Sequence, residues 1–144
     1  MNASTLCSLA TISPGERAHV NHMYFAWNER FEVFWFSDPE SRHSRNLERN
    51  PTAAITVYDS HQVNGKPDRG IQLFGTAGAT SSNEATRIYK RKFRLLDPSG
   101  FTAYRFRART VKLFDEPALG PAVLVTARVT RDGLAWARTE VITV

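Results

Sequence analysis

The sequence predicts a mainly β protein, an antiparallel barrel with two or so helices at its periphery. Three observations carry this. About eight short runs of β-branched, aromatic or alternating residues recur along the chain, separated by turn residues. Only two stretches carry helix punctuation, with a capping side chain at the start and basic residues towards the end. Asp132-Gly133, between two such runs, is a strong hairpin signal.

Residues 5–12 form the first expected strand, and Ser13-Pro14-Gly15-Glu16 a turn. Residues 18–27 and 31–37 follow as strands, and Asn28-Glu29-Arg30 is short enough to join them as a hairpin. A helix is expected over 39–49. Pro39 suits its first turn, Asp38 or Ser37 can cap it, and Pro51 follows its end. Residues 53–58 read as the fourth strand and 59–67, with Asn64-Gly65, as a polar loop. The fifth strand covers 70–80, where Gly70, Gly75 and Gly78 mark bends or close backbone approach. A second helix is expected over 82–93. Ser81 or Ser82 caps it, Glu84 lies in the first turn, and Arg87, Lys90, Arg91 and Lys92 lie further on, an order that suits the helix dipole.

After the loop Asp97-Pro98-Ser99-Gly100 come strands over 102–114, 122–131 and 134–144. In the first of these Arg105, Arg107 and Arg109 share a face, and then Val111 and Leu113 put apolar side chains on it. The phase flips near Arg109-Thr110, as at a bulge or a barrel corner. A barrel this small is filled by its own side chains. A cofactor then has to sit outside it, at an edge or a subunit interface.

At 144 residues and 42% hydrophobic content, the chain fits one domain, 1–144, with a real core. No apolar run approaches the roughly 20 residues of a membrane-spanning helix. The N-terminus lacks the basic-then-apolar order of a signal peptide. The single cysteine, Cys7, excludes an internal disulfide; among strand residues it reads as a buried, inert thiol and points to the cytoplasm. The net charge is +5 and Arg outnumbers Lys, which favours bidentate contact with carboxylate or phosphate. There is no Lys/Arg block and no zinc or helix-turn-helix spacing, so neither nucleic acid nor membrane is expected as a partner.

The stretch SDPESRHSRNLERNP (residues 37–51) raises the sharpest question. On a helix Arg42, Arg45 and Arg49 share one face, and His43 and Leu47 another, with Leu47 as core anchor. A helix start favours phosphate. The carboxylate of Asp38 would cap the same amides and repel an anion, so Ser41, Arg42 and His43 would have to hold it with their side chains. The alternative is a capped helix with a solvated Arg face. His19 and His22 are three apart in a strand and point to opposite faces, so no metal site is expected. Asp115-Glu116 reads as a turn. Among Trp27, Phe31, Phe34, Trp35 and Phe36, alternate members can fill the barrel while the others cover an interface or a planar ligand.

The order of three segments carries a resemblance. LATISPGERAHVNHMYFAWNERFEVFWFS leads directly into SDPESRHSRNLERNPTAAITVYD and then RGIQLFGTAGAT. This succession, over residues 6–80, resembles the pyridoxamine 5′-phosphate oxidase-like family of FMN-binding split barrels. TAYRFRARTVKLFDEPALG (102–120) is similar to the later strands of its single-domain members. The most specific element is the aromatic strand running into Ser-Arg-x-x-x-Asn-Leu-x-x-Asn-Pro. The resemblance implies a split antiparallel β-barrel, a homodimer with FMN at the subunit interface, and an oxidoreductase acting on a small molecule. It puts the FMN phosphate on Ser41, Arg42 and His43. Family members often carry Lys at the last position, whereas the charge of His43 depends on pH. Phe36 and Ser37 match the strand end that flanks the flavin. Asn21, His22, Met23 and Tyr24 match the strand whose backbone lies along the isoalloxazine ring, and Gln72 lies on a strand that approaches the same cofactor. No catalytic residue is assigned. The helix that relatives often place before the first strand is not found. Nor is the C-terminal substrate-binding segment of pyridoxamine phosphate oxidase itself, so that particular activity is not expected. Alternatives within the fold are a deazaflavin, whose anionic tail would suit Arg45, Arg49 and the Arg105/Arg107/Arg109 face, or haem. The alternative role is a non-catalytic ligand-binding or sensing module.

Overall fold

A computed structural model describes residues 1–59 and 61–142 of the chain. The elements run β1 (Leu6–Ser13), β2 (Arg17–Tyr24), β3 (Ala26–Trp27), β4 (Glu32–Ser37), α1 (Arg42–Arg49), β5 (Thr52–Tyr58), β6 (Arg69–Ala79), α2 (Asn83–Lys92), β7 (Thr102–Asp115), α3 (Glu116–Leu119), β8 (Val123–Thr130) and β9 (Gly133–Val141). The ends of the expected loop and last strand that fall on Ser60, Thr143 and Val144 lie outside the described residues.

All pairings are antiparallel, in the order β2-β1-β5-β6-β7-β4-β3, with β8 on β7 and β9 on β8. The expected strand over 18–27 is two strands. On one side of the fully buried Phe25 the chain pairs with β1, and on the other with β4, so it must bend there. The Asp132-Gly133 hairpin forms as expected, with Thr130 opposite Gly133.

Alternation builds the core. Cys7, Leu9, Thr11 and Ser13 of β1 point inward, and their neighbours point out. Leu9, Val33, Trp35, Ile55, Leu73 and Phe106 are fully buried, and the Trp35 ring stacks on Tyr104 at 5.5 Å. Burying each such side chain contributes about 1.5–3 kcal/mol. The other aromatics of β4 face outward, where α2 packs over β3, β4 and β7. Phe34 is fully buried there, and Phe36 meets Tyr89 of α2 edge-on at 4.9 Å.

The phase flip expected near Arg109-Thr110 is a fork in the sheet. One edge of β7 pairs with β6 along its length. The other edge pairs with β4 as far as Arg107, and with β8 from Thr110 onward. Thr110 lies opposite Phe74 and Ala108 opposite Gly75, which leaves Arg109 as the extra residue. Gly75 is needed at this point, because a Cβ there would stand 1.9 Å from the Arg107 carbonyl oxygen.

Candidate functional site at the first turn of α1

Helix α1 starts at Arg42, later than the sequence reading placed it, and Ser41 is its cap. The residues before it form a turn of their own. The Ser41 amide donates to the Asp38 carbonyl at 3.1 Å, and the Glu40 amide donates to the Asp38 carboxylate at 2.8 Å. The Ser44 hydroxyl also donates to the Asp38 carbonyl, at 2.9 Å. Asp38 therefore caps the turn and not the helix, which leaves the amides at the helix start free of its carboxylate. The first amides of α1 have no intrahelical acceptor and lie at the positive end of its dipole.

Three side chains meet at this turn. Ser37, at the end of β4, has its hydroxyl 2.7 Å from His43 Nε2. The Ser41 hydroxyl lies 3.2 Å from the same nitrogen and donates to Ser44 Oγ at 2.8 Å. Arg42 is exposed beside them. Burial, reinforced by nearby His19 of β2, pulls the His43 pKa below its usual value. The imidazole therefore takes up a proton less readily than a free one, and permanent positive charge at the turn comes from Arg42.

Position is fixed from below by a buried polar contact. The Asn46 side-chain amide donates to Thr11 Oγ1 at 2.9 Å and Ser13 Oγ at 3.1 Å, both on the inward face of β1. Leu47 is buried beside it in the core. This contact was not readable beforehand, because its partners lie more than thirty residues away and neither looks unusual alone. The only available signal was the inward phase of Thr11 and Ser13 on an otherwise apolar strand face.

The remaining sequence-predicted residues divide between two faces. In β2, His19, Asn21 and Met23 turn inward opposite Thr11, Leu9 and Cys7, whereas His22 and Tyr24 turn outward opposite Ser8 and Leu6. Asn21 Oδ1 is buried without a hydrogen-bond partner among the described residues. His22 Nδ1 lies 2.9 Å from Ser8 Oγ. The four side chains do not converge; what they share is an edge strand, since among the described residues β2 pairs with β1 alone. Phe36 sends its ring to α2 and brings only its backbone to the turn. Gln72 lies on the outward face of β6, in a shallow cleft of about 290 Å³ with Ser8, Ala10, Val20, Ala54 and Phe74. In this chain the cleft and the α1 turn are on different faces of β1, the cleft against outward Ser8 and Ala10 and α1 against inward Thr11 and Ser13.

Elsewhere, Cys7 is 3% exposed and burial pushes its thiol up to about 12, so it is an inert core residue. Among the described residues, no group of three His, Cys, Asp or Glu could hold a metal ion, and no helix is long and apolar enough to cross a membrane.

A forked antiparallel barrel of this strand order is a split barrel. Within that class the chain belongs to the pyridoxamine 5′-phosphate oxidase family, whose sequence model matches residues 1–131. No curated protein matches the sequence. Similar solved structures include a conserved hypothetical protein from Mycobacterium tuberculosis, at 22% identity and TM-score 0.68, with 83% of this chain and 82% of that one covered. A putative pyridoxamine 5′-phosphate oxidase from Listeria innocua is 15% identical at TM-score 0.62, covering 77% and 89%. A heme binding protein from Mycobacterium smegmatis is 14% identical at TM-score 0.65, covering 93% and 82%. At these identities the structures show the fold alone.

Proposed function

We propose that the protein binds FMN as a homodimer and acts as an oxidoreductase on a small molecule. The observation that carries this is the cluster of Ser37, Ser41 and His43 beside Arg42 at the free amides of α1. It supplies donors and positive potential, with no carboxylate on the amides, as a phosphomonoester requires. Arg42 would grip the phosphate through its planar fork, and Ser37, His43 and, on turning away from Ser44, the Ser41 hydroxyl would donate to the remaining oxygens. The unpaired backbone edge of β2 and the orphaned acceptor of Asn21 are suited to the polar rim of a planar ring. FMN, once bound, supplies the electron transfer; the chain's part is to orient it and keep water from one face.

The homodimer rests on the outward sheet face, where Val20 is 56% and Phe74 43% exposed, with Leu6 and Tyr24 exposed further along β1 and β2 beyond Ser8 and His22. Apolar side chains contiguous around the Gln72 cleft mark an interaction surface, and a second copy covers them most simply. Gln72 and His22 would then reach a cofactor held between protomers. A reducing compartment such as the cytoplasm fits the free thiol of Cys7.

Haem is a second reading, favoured by His22. With Nδ1 engaged by Ser8, its Nε2 on the exposed face would be left to hold the haem iron. The visible spectrum of the purified protein, with mass identification of what it releases, separates the two. Flavin absorption and released FMN support the first reading. A Soret band that disappears in His22→Ala supports the second. A colourless protein that takes up neither on titration refutes both. In the flavin case Arg42→Ala should weaken FMN binding roughly tenfold or more, and Arg49→Ala should leave it unchanged; equal, negligible losses would refute the clamp. Sedimentation tests the dimer, and a clean monomer would refute it.

A further inference from the structure

The three arginines of β7 line a second site, which shares no residue with the α1 turn. Arg105, Arg107 and Arg109 border an open cleft of about 360 Å³, faced by Thr76 and Gly78 of β6 and by Pro51. Alternation places Arg105, Arg107 and Arg109 on one face of the strand, with their Cα atoms about 7 Å apart in succession, and only beyond them does the bulge at Arg109 turn Val111 to the buried face. Across from them β6 offers almost nothing to fill the space. Thr76 pairs with Arg107 and Gly78 with Arg105, and a Cβ on Gly78 would meet no atom within 4 Å.

The charge at this cleft is only partly answered. Glu32 is the acid beside it, 3.5 Å from Arg107 and 3.9 Å from Arg105, distances too long for hydrogen bonds. Its other oxygen accepts from Asn28 at 2.7 Å and Arg30 at 2.9 Å. Arg109 makes no ion pair among the described residues, and no carboxylate lines the cleft. Arg105 Nε is buried with no hydrogen-bond partner there. A buried guanidinium donor without an acceptor is costly unless something from outside supplies one. The lining carries no aromatic ring, so it offers no platform on which bases could stack.

We propose that this cleft binds a small anion carrying two or more phosphate or carboxylate groups, spanned by Arg105, Arg107 and Arg109. The test uses the full-length protein at low salt, titrated by calorimetry with pyrophosphate, citrate and a single-stranded oligonucleotide, with amide shifts read by NMR. Saturable binding of pyrophosphate or citrate, with shifts at Gly78 and 105–109, is expected, and the tighter of the two assigns phosphate or carboxylate as the group read. Arg109→Ala, at an exposed position, should weaken it roughly tenfold. Thr76→Glu, which sets a carboxylate in the cleft, should abolish it, and Arg42→Ala should leave the midpoint of the shifts at Gly78 and 105–109 unchanged. Circular dichroism confirms that each variant is folded. Absence of saturation at millimolar anion overturns the proposal. So does a loss in Arg42→Ala equal to that in Arg109→Ala, or an oligonucleotide that binds more tightly than either small anion.

Discussion

Replacing Gly75 by Ala tests the fork directly. The added Cβ would lie 1.9 Å from the Arg107 carbonyl oxygen and 2.9 Å from its carbon, whereas ordinary contact begins at 3.4 Å. The backbone must therefore yield by the difference, 3.4 − 1.9 = 1.5 Å, at the bulge. No flexible side-chain end is available to swing aside. Overpacking typically costs about 1–3 kcal/mol, and a rigid backbone neighbour places this case at the upper end. With about 2–4 °C lost per kcal/mol for a chain near this size, the melting temperature should fall by roughly 6–12 °C. Gly78→Ala is the matched control: same strand, same chemistry, and no atom within 4 Å of the new methyl. It should be neutral or stabilising by up to about 1 kcal/mol, through the unfolded chain. Thermal melts of the two variants beside wild type decide the matter. If Gly75→Ala melts within about 2 °C of Gly78→Ala, the close approach at the fork is not what requires glycine.

Asn46→Ala removes two hydrogen bonds and leaves Thr11 and Ser13 buried, with their partner gone; it should cost about 2–4 kcal/mol in urea unfolding and weaken FMN binding as well, and an unchanged midpoint would show that α1 is anchored by Leu47 alone. His43 titrates below its usual 6.5 in the folded protein, because of burial and nearby His19, so the unfolded chain takes up the proton first as pH falls. Its contribution to stability is complete above the unfolded value and lost as pH falls through the folded one. The denaturation midpoint should show this between neutral and mildly acid pH and lose that component in His43→Gln; superimposable profiles would contradict it. Cys7, at about 12 and buried, should react with a thiol reagent at pH 8 only as fast as the protein unfolds, whereas prompt labelling of native protein would place the thiol at the surface.

Much of the fold was legible in local pattern. The Arg109 bulge could be read because a phase flip in a strand has few causes, and the Asp132-Gly133 turn because few residues tolerate its backbone. The start of α1 was harder. Ser37, Asp38 and Ser41 are all capping residues, and local chemistry does not rank them; the choice falls to Ser41 because Ser44, Asn46 and Leu47 must face the barrel. The division at Phe25 was hidden for a similar reason, since residues on both sides are good strand formers and differ only in which distant strand they meet. At the site, Ser37, Ser41 and His43 meet because they belong to one strand-turn-helix unit, whereas the linear motif singles out Ser41, Arg42 and His43 and leaves Ser37 to the strand end. The direction of the Phe36 ring depended on α2, fifty residues away, and was out of reach of local pattern.

The bare edge of β2 has a consequence for handling the protein. A row of unsatisfied strand amides beside exposed Val20 and Tyr24 is a template on which another chain can add a strand. Whatever shields that edge also guards the protein against fibrous and amorphous association. Protein with that edge uncovered would be the fraction most prone to precipitate or to be held by chaperones, so shelf life and recombinant yield would track how well the edge is covered.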